Sequence, residues 1–97
     1  MRPVRLLTPA RQEIRDASEY YESRAKGLGV DFIDKINAAV LDICENPQRW
    51  PITGTDVRRR LINRFPYGLL YRVDADEVVV LAVMHLSRHP FYWRGRR

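Results

Sequence analysis

A chain of 97 residues with a formal net charge of +5 has room for one modest core, burying about 65% of the surface its unfolded form exposes, and too little for a large cofactor-filled cavity. Its longest apolar run, Val78 to Met84, is far too short to span a bilayer, and the N-terminus has no secretory apolar core, so the sequence predicts a soluble cytoplasmic protein with no membrane association. The single Cys44 excludes an internal disulfide, and two histidines with one distant cysteine are too few for a metal site.

Val4 to Leu7 is a short strand candidate. Thr8-Pro9 follows as an N-cap and a first-turn proline, and Ala10, Ile14, Ala17, Tyr21 and Leu28 then recur at helical spacing, with Glu13, Arg15, Asp16, Glu19 and Glu22 on the other face. Gly27-Leu28-Gly29 breaks this pattern. A second helix is predicted to turn Phe32, Ile33, Ile36, Ala39, Val40, Ile43 and Cys44 inward, and Asn46-Pro47 ends it. So short a connection makes the two helices an antiparallel hairpin.

After a loop from Gln48 to Asp56, the periodicity changes to that of strands: Val57 to Arg64, Gly68 to Val73 and Val78 to His85, spaced as an antiparallel meander. The last run is apolar at every position to Met84, as expected of a strand covered on both faces. The predicted fold is therefore α+β, one domain over residues 1–97, with an N-terminal strand and a helical hairpin packed on a small antiparallel sheet.

The charge excess lies wholly in the second half. Residues 1–50 hold eight Lys or Arg against eight Asp or Glu, and residues 51–97 hold nine against four. Fifteen of the seventeen basic residues are arginine, whose planar fork suits phosphate or carboxylate. Alternation places Arg58, Arg60 and Arg64 on one side of a strand, with Arg72 able to join them from the next, which gives a basic sheet face for an anionic partner. Any one of these arginines also serves to protect an edge strand. His85 and His89 flank Arg88 at a strand end, an arrangement in which an imidazole takes a proton from a ribose hydroxyl while arginine neutralises the phosphorane; each histidine alone reads equally as structural. Pro90-Phe91-Tyr92-Trp93, beside Arg94, Arg96 and Arg97, is expected to form an aromatic lid on the core, with base stacking as the alternative.

In order and spacing, Thr8-Pro9-Ala10, Tyr20-Tyr21, Asn46-Pro47, Arg60-Leu61, Arg64-Phe65-Pro66-Tyr67, Tyr71-Arg72 and the segment His85 to Trp93 resemble the RelE/ParE superfamily of bacterial type II toxin-antitoxin (plasmid stabilisation) modules over nearly the whole chain. The resemblance implies a cytoplasmic toxin neutralised by a cognate antitoxin, commonly encoded beside it, and needing no cofactor. It is closer to the ParE-like branch, which poisons DNA gyrase and has no nuclease site. The alternative is a RelE-like endoribonuclease cleaving mRNA on the ribosome, in which Arg60, Arg64, His85, Arg88 and Tyr92 would be catalytic; against it, the only lysines, Lys26 and Lys35, lie on the hairpin. Partner binding is expected at Arg58, Arg60, Arg64, Arg72, Arg88 and Trp93. A non-toxic nucleic-acid-binding module ranks last, since the hairpin is evenly charged and no recognised motif is present.

Overall fold

The computed structural model describes residues 2–54 and 56–96. Strand β1 (Val4–Leu6) leads into helix α1 (Thr8–Arg24), and α2 (Leu28–Glu45) returns along it. Four strands follow: β2 (Ile52–Thr53), β3 (Val57–Leu61), β4 (Tyr67–Val73) and β5 (Val78–His85). The sheet order is β1-β5-β4-β3-β2, in which β3 to β5 form the expected antiparallel meander, β2 adds a short antiparallel edge strand within the segment expected to be a loop, and β1 joins β5 in parallel. The apolar run of β5 is thus the second strand in, buried from Val78 to Met84.

Local chemistry sets the helix ends. Leu7, rather than Thr8, occupies the N-cap of α1 and gives no side-chain cap, and proline stands within the first turn. Gly27 enters α2 at φ 85°, the left-handed region glycine occupies at no steric cost. Its first turn is capped from outside: the Glu22 carboxylate accepts from the Gly27 and Gly29 amides at 2.9 and 3.0 Å. Gly29 is needed for the close crossing, since a β-carbon there would lie 2.5 Å from the Ser18 carbonyl oxygen.

The core lies in two layers. Between hairpin and sheet pack Ala10, Ala17, Phe32, Ile36, Ala39, Ile43, Phe65, Leu69 and Tyr71, and the Tyr71 hydroxyl donates to the Pro47 carbonyl at 2.7 Å. Cys44 is only half-buried, its thiol donating to the Arg2 carbonyl. On the other sheet face Val57, Leu70, Val79, Leu81, Ala82 and Met84 are covered by the segment after β5, with Trp93 buried at 7% exposure. The aromatic lid is therefore present, and much of the second sheet face is closed. Arg97 lies outside the described residues. No helix among them is long and apolar enough to cross a membrane.

Candidate functional site

A one-residue irregularity in β5 decides what its end presents. Leu70 stands opposite Ala82 but Tyr71 opposite Val80, so Leu81 is an extra residue. Leu81 and Ala82 consequently both face the second layer, and the phase of everything after them reverses. His85 turns to the hairpin side, its ring edge-on to Tyr67 with centroids 5.1 Å apart. There it joins Glu13, Asp16 and Tyr20 of α1, together with Arg88 and Tyr92, around one cleft.

β1 ends opposite Val80, so the outer edge of β5 beyond that point needs other partners. Glu13 supplies one, accepting from the Val83 amide at 3.0 Å, and Arg96 supplies the other, donating to the Leu81 carbonyl at 3.0 Å. Glu13 and Arg96 form an ion pair at 2.9 Å, and the Tyr92 hydroxyl donates to the second Glu13 oxygen. The Arg88 guanidinium lies 4.2 Å from the Tyr92 ring centroid and that of Arg96 4.9 Å. Burial, then the bond to Glu13, raises the Tyr92 pKa, so the phenol stays protonated and acts as a donor. Burial lowers the Arg96 pKa, but Glu13 and Tyr92 together outweigh it, and the net shift is upward. His85 Nδ1 accepts from the Ser87 amide at 3.0 Å, placing the proton of the neutral ring on Nε2. The cleft is thus largely a fastening for the C-terminal segment.

The arginines divide among three surroundings, which corrects the expectation of one basic sheet face. Arg58 and Arg60 stand opposite Tyr71 and Leu69, two members of the layer under the hairpin, whereas Arg72 stands opposite Val57 in the other layer. Arg58 donates to the Gln48 and Trp50 carbonyls at 3.1 and 2.7 Å, fixing the loop that follows α2. Arg72 pairs with Asp74 at 2.9 Å and holds that carboxyl below its ordinary range. Arg60 pairs with Asp42 of α2, donates to the Leu61 carbonyl, and stacks 5.3 Å from the Trp50 ring centroid. Arg64 is not on a strand: β3 stops at Leu61, and Arg64 occupies the exposed turn at φ 72°. Of the five candidate nuclease residues, the cleft gathers His85, Arg88 and Tyr92; Arg60 lines a separate groove with Asp42, Arg49, Trp50 and Arg59, and Arg64 lines neither.

Glu13, Asp42 and Arg96 carry these arrangements and were not singled out from sequence. A signal existed for Glu13, since it falls at i+3 from Ala10 and i−4 from Ala17, between the two buried alanines of α1.

Comparison with known proteins agrees with this architecture. A family profile described as ParE toxin of type II toxin-antitoxin system, parDE, matches residues 4–90. Among solved structures, one titled "Chromosomal ParDE TA system from P. aeruginosa" superposes with a TM-score of 0.77 at 16% identity, covering 90% of this chain and 98% of that one; at this identity the likeness is one of fold. No curated protein matches. The chain belongs to the ParE toxin family of type II toxin-antitoxin systems, within the RelE/ParE superfamily.

Proposed function

We propose that residues 1–97 act as a single toxin domain that arrests growth in the cytoplasm by poisoning DNA gyrase and is neutralised by an antitoxin encoded beside it. Family membership supplies the class. The observation that favours gyrase over RNA cleavage is the use made of the would-be catalytic groups: Tyr92 is a protonated donor to Glu13, and the Nδ1 lone pair of His85 is engaged by Ser87. A general base must lie within hydrogen-bond reach of the proton it takes, and both groups are bonded instead to residues of their own chain. For partner contact, Arg58 is committed to backbone carbonyls and Trp93 is buried, which leaves the exposed Arg64 and Arg88, with Arg60 in its groove and Arg72 beside Asp74.

Inducing the chain alone in cells tests the reading. DNA breaks and a DNA-damage response preceding any fall in translation are expected, with purified gyrase trapped on cleaved plasmid. New cuts in translated messages that vanish with His85→Ala or Arg88→Ala would assign it instead as a ribosome-dependent nuclease.

A further inference from the structure

The groove beside β3 has features that the fold does not require. Arg60 is held by Trp50 and the Leu61 carbonyl, with 13% of its side chain exposed, yet its buried Nε has no hydrogen-bond partner among the described residues. Asp42 engages Nη2 through one oxygen, so the Nε–Nη2 edge of the fork, which receives a carboxylate through two parallel bonds, is half used. Asp42 is itself poorly placed. It sits in the last turn of α2, where the helix dipole is negative and which holds no basic residue of its own, and 47% of its side chain is exposed. Around the pair, Arg49 stacks 5.3 Å from the same Trp50 ring, and Arg59 also lines the groove, giving three arginines to one carboxylate. Leu61, 51% exposed, and the exposed Pro51 line it with apolar surface.

We propose that this groove binds an aspartate or glutamate side chain of an extended, acidic and apolar segment of the antitoxin, and that Asp42 is an internal stand-in which the incoming carboxylate displaces from Arg60. The inference rests on the antitoxin reading above. The exchange is favourable because a partner carboxylate fills both positions of the fork and is free of the α2 dipole, while the released Asp42 turns into water. Arg49 and Arg59 then neutralise the remaining acidic groups, and the exposed Leu61 and Pro51 receive the apolar ones.

The sign of one substitution separates this from a merely structural ion pair. Titrating the neighbouring gene product into the purified chain by calorimetry, Asp42→Asn is expected to bind about threefold or more tighter, because it removes the competitor without removing the site. Arg60→Lys keeps charge but loses the fork and should bind about tenfold weaker; Arg49→Ala, on the exposed rim, should weaken binding about threefold with little effect on stability. Melting curves confirm that each variant is folded; if Arg60→Lys is not, Asp42→Asn and Arg49→Ala decide. A wild-type complex whose affinity is unchanged or reduced by Asp42→Asn, or unaffected by Arg49→Ala, overturns the groove assignment and leaves the antitoxin reading intact. No complex with the wild-type chain overturns both.

Discussion

Replacing Glu13 by alanine removes a single carboxylate that serves the Val83 amide, the Tyr92 hydroxyl and the Arg96 guanidinium together. Val83 is 1% exposed, so its N–H is left unsatisfied at a cost of about 1–3 kcal/mol. The Glu13 and Arg96 side chains retain 18% and 20% exposure, so solvent screening brings their pair to about 1 kcal/mol rather than the 3–5 of a fully buried one. The lost phenol bond adds about 1 kcal/mol. The sum, about 3–5 kcal/mol, is a large fraction of the total stability of a domain this size and corresponds to a fall in Tm of about 12–40 °C. Circular dichroism melts measure it, with the exposed Glu19→Ala as control, expected to stay within about 0.5 kcal/mol of wild type. A double-mutant cycle with Tyr92→Phe should show about 1 kcal/mol of coupling. If Glu13→Ala melts within about 3 °C of wild type, or the cycle is additive, Glu13 does not fasten the C-terminal segment and the reasoning about that cleft is wrong.

Ile36→Ala empties a site at 2% exposure in the centre of α2 and should cost about 2–5 kcal/mol in urea or thermal unfolding. Gly29→Ala drives a β-carbon to 2.5 Å from the Ser18 carbonyl oxygen, so the helices must separate; a loss of about 1–3 kcal/mol is expected in the same assay. Acid should destabilise the chain through Asp74 and Glu77, whose pKa values are lowered by hydrogen bonds from Arg72 and Arg5. Their contribution is complete above the ordinary carboxylate values of 3.8 and 4.5 and disappears as pH falls through the lower folded ones, so Tm should drop below about pH 4, less steeply in Glu77→Gln. Replacing Arg60 and Arg72 together by alanine should lower Tm as well, since Arg60 is tied to Asp42 and Arg72 to Asp74; a double variant as stable as wild type would mean both pairs are idle.

The helical hairpin was legible because its signals are local. Phe32, Ile36, Ala39 and Ile43 repeat at helical spacing and are the buried residues of α2, and glycine marks the turn before it. The run from Val78 to Met84 announced a doubly covered strand for the same reason, as nothing polar in it requires water. The sequence also displayed the C-terminal aromatics as a lid, with Trp93 its anchor. Less was legible at the candidate site. A pattern of alternation tells which residues share a face but not which face lies under the hairpin, so Arg58 and Arg60 could be grouped correctly while their surroundings could not.

By itself, then, the sequence determined the two helices, the N-terminal strand and the three longer strands, their order, the central residues of the helical core and the basic bias of the second half, because each depends on short-range periodicity or on composition; the two-residue β2 and the half-buried Cys44 escaped it. Tertiary structure alone decided three things. The extra residue Leu81 is visible only against the β4 register, yet it sends His85 to the hairpin side. β1 stops opposite Val80, which leaves a strand edge that Glu13 and Arg96 complete across 70 and 15 residues of chain. Asp42 meets Arg60 only once α2 lies over β3. In each case the deciding quantity is a pairing between distant segments, and a hydrogen-bonding group carries no local mark of the partner it will find.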